Sequence, residues 1–306
     1  MGLTMGVSHL FNRCTSRAVG VAAGLICMVF IGWPPTAFAQ WQDPRFRATL
    51  DLTWDDNVSR SQDDDRFDDM SAGFDVNASL PWQLTERTRV VFLGNLGTEV
   101  FDEFKGLNRT YASVQGEFQY RRSGEFGAPI WGLYVRQGAD WYRSALRDGN
   151  RTSAGVSVRK PWSDRIFIFG SLYYNVREAR SEIFDTREFG LRGNLDYSLR
   201  ARQTLYLGME LRRGDVVSTA RPQPQYSAIA EVWGWDDVFT DTPRYAYRID
   251  ALTALLSLGY NIALGEDTSL DFAYRLAASR PSEQPANYDA VRYTDHQVTA
   301  AFLMRF

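Results

Sequence analysis

Cysteine, histidine and lysine are almost missing from this chain of 306 residues, which holds two of each. Both cysteines, Cys14 and Cys27, lie in the first 39 residues. Beyond Ala39 no disulfide, thiol nucleophile or cysteine metal site can form. His296 is the only histidine past that point, so histidine-dependent catalysis has a single residue to use. Lys105 and Lys160 are the only lysines, which leaves the positive charge to arginine. Charge of one sign is lacking too: 34 basic against 37 acidic residues give a net −3 and no nucleic-acid footprint. After Ala39 no apolar run is long enough for a transmembrane helix, and the mean hydropathy is −0.33. Aromatics are plentiful, with 9 Trp, 15 Tyr and 19 Phe, too many for a disordered chain.

The N-terminus has the layout of a secretory signal peptide. Arg13 and Arg17 precede an apolar stretch from Ala18 to Trp33, and Pro34-Pro35-Thr36-Ala37-Phe38-Ala39 ends on an A-x-A site. A membrane anchor is the alternative, but the run is short for a bilayer span and two prolines follow it directly. The expected division is therefore a leader over residues 1–39 and a single domain over 40–306. The leader holds two arginines and no acid, so the remainder carries −5.

That remainder is organised by a period of two. Phe46, Ala48, Leu50, Leu52 and Trp54 alternate with Arg47, Thr49, Asp51 and Thr53, and the pattern returns along the chain. Twelve such segments are expected, near 45–54, 71–80, 87–101, 109–121, 130–143, 151–160, 165–177, 187–199, 204–213, 245–260, 268–278 and 291–306. The seventh is ambiguous, because Phe167, Phe169 and Tyr173 occupy its polar face. In the tenth the parity slips between Tyr247 and Leu252, which suggests a bulge.

A soluble β-sandwich or propeller and a transmembrane barrel both fit alternation, and three features favour the barrel. The segments are about 10–15 residues long, against a usual 5–6. The connections alternate between short (Pro81–Glu86, Pro161–Asp164, Arg200–Gln203) and long (Asp55–Met70, Glu178–Thr186, Gly214–Arg244, Ser279–Ala290). Trp131 and Trp141 lie ten residues apart on one face, ~25 Å along the membrane normal at a ~40° tilt, which matches two aromatic girdles. Trp54 is placed in a girdle as well.

The last segment alternates Val298, Ala300, Phe302, Met304 and Phe306, and phenylalanine ends the chain. This resembles the assembly signal of Gram-negative outer-membrane β-barrel proteins, with Phe302, Met304 and Phe306 as its carriers. The resemblance implies an all-β fold, a transmembrane antiparallel up-and-down barrel of about 12 strands with both termini periplasmic. It also implies residence in the cell outer membrane, among lipid and lipopolysaccharide, after insertion by the outer-membrane assembly machinery. Trp54-Asp55-Asp56-Asn57-Val58 is similar to the opening of barrels in the surface-lipoprotein assembly modifier group. That likeness implies a non-enzymatic part in protein, lipoprotein or polysaccharide export, with a periplasmic partner.

With the apolar face on lipid, the other face lines a lumen rich in arginine and carboxylate. Arg47, Arg89, Arg136, Asp140, Arg192 and Glu210 are the expected lining residues, arranged either as an ion-pair lattice or as a channel with a transverse field. Twelve tilted strands give a backbone radius of roughly 12 Å, so the passage is narrow. Asp55–Met70 is acidic, but its spacing fits no EF-hand, and no metal or other cofactor is expected. Gly214–Arg244, with Tyr226, Trp233 and Trp235, either binds a sugar or partner or folds inward and constricts the pore. His296 sits where outer-membrane phospholipases keep their catalytic histidine, but Val298 stands where they place serine. Asp295 and His296 point to opposite faces, against an aspartyl-protease pairing. The expected function is a non-enzymatic, narrow, porin-like channel for small polar solutes; the alternative is the export component.

Overall fold

The computed structural model describes residues 40–62, 65–239, 243–285, 288 and 290–306; the leader expected over 1–39 lies outside the described residues. The chain forms β1 (Gln40–Trp41), β2 (Arg45–Asp55), β3 (Asp69–Gln83), β4 (Thr88–Phe101), β5 (Arg109–Arg121), β6 (Ile130–Tyr142) and β7 (Gly149–Pro161). It continues with β8 (Ile166–Ala179), β9 (Thr186–Arg200), β10 (Gln203–Ala220), α1 (Pro224–Ser227), β11 (Val232–Trp235), β12 (Tyr245–Ala263), β13 (Thr268–Pro281) and β14 (Tyr293–Arg305). Every neighbouring pair is antiparallel, and β14 pairs with β2 through Phe302 opposite Leu50 and Ala300 opposite Leu52. That seam closes twelve strands, β2–β10 and β12–β14, into a barrel and removes the free sheet edges. At one end of the seam Phe46 and Phe306 exchange two backbone hydrogen bonds and stack with their rings 5.8 Å apart.

Period two decides which side chain meets which surroundings. Leu50, Leu52, Leu96, Val114, Leu133, Val156, Leu172, Leu191, Met209 and Leu258 are all exposed on the outer face. Such a surface is stable against hydrocarbon and costly against water. Among the described residues no helix is long and apolar enough to cross a membrane. Polar groups on the outer face include a pair in which Thr152 Oγ1 donates to Gln137 Oε1 at 2.6 Å, satisfying groups that lipid would leave bare.

The seventh segment resolves as β8, in unbroken register between β7 and β9. Its inward aromatics have inner-wall partners: Phe169 lies under the Arg159 guanidinium, and Tyr173 is buried. The bulge expected in the tenth segment is absent. The β10–β12 ladder runs from Gln203 opposite Ile262 to Ala220 opposite Tyr245 without a shift. Polarity inverts there because the strand has climbed past the apolar band. Tyr247 and Ile249 stay on the inner side and pack with Ala220, Tyr226 and Val291 in a small core made by the loops. β10 likewise stays paired past Gly214 to Ala220, so the long connection begins at Arg221, seven residues later than the sequence suggests. At Gly214, with φ +143°, a β-carbon would lie 2.0 Å from the Arg187 carbonyl oxygen, so only glycine lets the strand pass.

Candidate functional site: barrel interior and outer mouth

Tyrosines laid across glycines build much of the inner wall. Tyr111 faces Gly97, Tyr134 faces Gly155, Tyr173 faces Gly190 and Tyr206 faces Gly259, each pair directly opposed on neighbouring strands. A β-carbon on any of these glycines would come within 3 Å of the tyrosine ring. The missing side chain is thus the space the ring fills, which protects a strand that glycine would otherwise weaken. Three of these rings then aim their hydroxyls at carboxylates. Tyr111 donates to Asp75 at 3.2 Å, Tyr206 to Asp271 at 2.7 Å, and Tyr173 to Glu210.

The expected lining residues lie on this face, in distinct roles. Arg192 and Arg212 converge on Glu210 at 2.9 and 2.6 Å. Asp140 has Arg151 at 3.4 Å and both Arg109 and Arg177 at 3.9 Å, while Arg109 also pairs with Glu99 at 2.8 Å. Arg89 and Arg136 donate to neutral partners, Gln119 Oε1 at 2.6 Å and Gln115 Oε1 at 2.8 Å. Between those two glutamines Glu117 is buried and held by Arg159 at 2.6 Å. Arg47 is exposed near the end of the barrel that carries the short turns and opposes Arg305 across the seam. Charge is unevenly spread around the wall. β5 to β8 carry Arg109, Arg121, Arg136, Arg151, Arg159 and Arg177 against Glu117 and Asp140. The facing arc of β12, β13, β14 and β2 carries Asp51, Asp55, Asp271 and Asp295 with Arg275, and Arg45, Arg47 and Arg305 toward the end with the short turns. Locally the wall is an ion-pair lattice.

Of the expected girdle residues, Trp131, Trp141 and Trp54 are exposed on the outer face at 55%, 52% and 39%. Trp41 stacks on Trp82 at 5.3 Å, near the short turns. Phe302, Met304 and Phe306 point outward along β14 and are exposed. His296 is outward too, its Nδ1 2.7 Å from the Tyr274 hydroxyl, while Asp295 is buried inside.

The opposite mouth is covered by the connection from Arg221 to Arg244. It leaves β10, turns through α1, adds β11 beside the upper part of β12, and then crosses to the far rim. There Asp236 meets Arg147 of the β6–β7 turn at 2.6 Å, and Asp237 accepts from Ser144 at 2.6 Å. Val238 and Phe239 pack on Phe104 and Leu107 of the β4–β5 turn and on Val58 and Phe67 of the β2–β3 loop. β4 and β5 stand six strands away from β10 and β12 in a ring of twelve, so the segment spans the whole mouth. The acidic β2–β3 loop is tied into the same roof, because Asp65 is buried and bound by both Arg221 and Arg244. Asp63 and Asp64 of that loop lie outside the described residues. Tyr226 of α1, whose oxygen accepts from the Gln62 backbone N–H at 3.2 Å, is buried, and loss of water pushes its phenol pKa up. Below the roof is a cavity of about 520 Å³, lined by every barrel strand except β3 and by polar groups for the most part.

The sequence reading missed the supports of this roof. Three successive loops carry a one-turn 3₁₀ helix, Lys105–Leu107, Ala145–Arg147 and Glu182–Phe184. Each ends on an Asn or Asp whose side chain accepts the backbone N–H at the end of the preceding strand. Asn108 takes Phe101 at 2.8 Å, Asp148 takes Tyr142 at 2.7 Å and Asp185 takes Ala179 at 2.6 Å. Backbone bonds link neighbours, Arg143 N–H to the Asn108 carbonyl and Arg180 N–H to the Asp148 carbonyl, which stiffens the rim. The signal was legible as a short repeat, Arg143-Ser144-x-x-x-Asp148 and Arg180-Ser181-x-x-x-Asp185.

No protein-family model and no curated protein sequence matches the chain. Among solved structures, it is similar to the COG4313 outer membrane channel from Pseudomonas putida F1, with a TM-score of 0.54 and 12% identity. The match covers 90% of this chain and all of that one. At this identity the likeness establishes the fold, a transmembrane barrel of the outer-membrane type. Looser matches are the NanC porin, with TM-score 0.42 and 9% identity over 83% of this chain and 98% of that one, and the KdgM porin in complex with disordered oligogalacturonate. The latter has TM-score 0.40 and 10% identity, over 84% and 99% of the two chains.

Proposed function

We propose that this protein is an outer-membrane channel passing small polar solutes through a narrow lumen, without enzymatic activity. The observation that carries this reading is the polar cavity of about 520 Å³ inside a wall whose outer surface is apolar. Arg47, Arg89, Arg136, Asp140, Arg192 and Glu210 line the path in this reading. Glu99, Glu117, Asp140, Glu188 and Glu210 are matched to arginine, while Asp75, Asp196 and Asp271 are held by amides or tyrosine hydroxyls, so size and dipole orientation select the solute alongside charge. Trp54, Trp131 and Trp141 anchor the barrel at the two interfaces. The short turns and both ends of the barrel-forming chain face the periplasm, the roof faces outward, and residues 1–39 direct export.

Planar-bilayer recording of the purified barrel tests the proposal. Stable openings of a few hundred picosiemens or less in molar salt are expected, together with uptake of small sugars or amino acids into liposomes. A bilayer that stays silent until a periplasmic protein is added contradicts it and points to export.

A further inference from the structure

Unmatched charges in the roofed cavity deepen the channel reading, on which this inference rests. Seven of the charged side chains lining that cavity have a partner of opposite sign: Arg109 with Glu99, Arg147 with Asp236, Arg151 and Arg177 with Asp140, and Arg212 with Glu188. Asp215 accepts a backbone N–H from Arg187 at 2.8 Å. Besides Asp215, four lining groups have no opposite charge within 4 Å among the described residues: the guanidiniums of Arg60 and Arg275 and the carboxylates of Asp55 and Asp295.

The two acids sit together at the barrel seam, their carboxylate oxygens within 4.8 Å of each other. Asp295 is only 7% exposed, and its Oδ1 is buried with no hydrogen-bond partner. Its Oδ2 has a long contact of 3.4 Å from Gln297, which donates more closely to Asp55, at 2.8 Å. Two adjacent carboxylates, one of them buried, call for a positive charge between them. A third acid nearby, Asp56, is already satisfied, by Arg66 at 2.5 Å and by the His296 backbone N–H at 2.7 Å. A divalent ion would therefore have two carboxylates without a cation, of which Asp55 already accepts from the Asn57 backbone N–H and from Gln297, each at 2.8 Å, and would share the cavity with two unpaired arginines, a poor setting for a hard cation. The arginines ask for the opposite: each offers a fork of donors suited to a carboxylate.

We infer that the cavity is a binding site for a small zwitterion of the amino-acid class. The solute's ammonium, with three donors, goes to Asp55 and Asp295, and its carboxylate goes to Arg60 and Arg275. Arg60 reaches the cavity from a backbone turn at φ +53°, a conformation an ordinary residue rarely takes, and Ser218 fixes it by donating to the Arg60 carbonyl at 2.6 Å. The site thus sits on the end of β2 and the β2–β3 loop as well as on β13 and β14, beneath the roof, where a solute entering from outside first meets the lumen.

Isothermal titration of the detergent-purified, full-length barrel tests this with three probes: L-alanine, propionate and ethylammonium. Alanine is expected to bind at least tenfold more tightly than either single-charge analogue. Arg275→Gln and Asp295→Asn are each expected to weaken alanine about tenfold or more, with folding checked by the heat-dependent gel shift of barrels. Propionate binding as tightly as alanine, calcium binding where alanine does not, or no binding by any probe each overturns the inference. The analogue comparison needs only the natural sequence, so it decides the matter even where a variant does not fold. Conductance of the same preparation separates the two readings: an open channel indifferent to alanine sinks the inference alone. A silent bilayer sinks the channel reading, while the titration still judges the site.

Discussion

Arg147 and Asp236 meet at 2.6 Å across the barrel mouth, one from a short turn between β6 and β7, the other from the far-reaching connection between β10 and β12. Asp236 is fully buried and also accepts from Thr219 Oγ1 at 2.7 Å, while the Arg147 guanidinium lies 4.1 Å from the Phe184 ring centroid. Removing one member of a buried pair leaves the other uncompensated, at about 3–5 kcal/mol. Asp236→Ala is therefore expected to release the roof while leaving the membrane-embedded barrel folded. Single-channel conductance should rise, and external protease should cut between Arg221 and Arg244. Unchanged conductance and protection would show that the roof is held elsewhere, by the Phe67–Phe104–Phe239 cluster.

Gly190→Val tests the tyrosine-on-glycine wall. The new side chain would collide with the Tyr173 ring, now 2.0 Å from where a β-carbon would sit, and push its hydroxyl off Glu210. Overpacking of this kind costs about 1–3 kcal/mol. A lower urea midpoint for refolded barrel in liposomes is expected, whereas Gly193→Val, at a site with no atom within 4 Å of a β-carbon, should change it far less.

The outer face gives a depth test. Leu256 is midway along β12 and exposed, and Leu264 is exposed in the β12–β13 turn. Arginine at the bilayer midplane costs about 2–4 kcal/mol and near an interface about 0–1 kcal/mol. Leu256→Arg should lower folding stability in lipid by roughly that larger amount, with Leu264→Arg nearly silent. Equal effects would mean that this face does not meet hydrocarbon.

Phe306 separates assembly from stability. Its stack on Phe46 is worth about 0.5–1.5 kcal/mol beyond area burial, so Phe306→Ser should refold in detergent with only a modest loss. In cells the same variant is expected to fall severalfold in the outer membrane, measured by fractionation. Normal membrane levels would remove the assembly role assigned to the last three outward side chains.

Much of the barrel was readable residue by residue. All twelve alternating segments became wall strands, because a strand between lipid and water has no choice but to alternate. Where the alternation faltered, the cause was local. At β8 the inward aromatics cover a glycine and an arginine; at Tyr247 and Ile249 the strand has left the bilayer and packs against loops. The candidate site was less legible. Arg192 and Glu210 could be named as inward residues, but that they pair depends on β9 and β10 lying in one register. The path of Asp236 across the mouth left no local mark at all.

Alone, the sequence determined what each face of each strand touches, since period two and side-chain polarity are properties of the chain itself. It also set the compass of chemistry, arginine and carboxylate with almost no lysine, histidine or cysteine. Only the tertiary structure decided which opposite charges meet and which do not. Contacts such as Arg147 with Asp236, or the unmatched Asp295, depend on strands and loops separated by tens to hundreds of residues, and closing a ring of twelve strands is what brings them together.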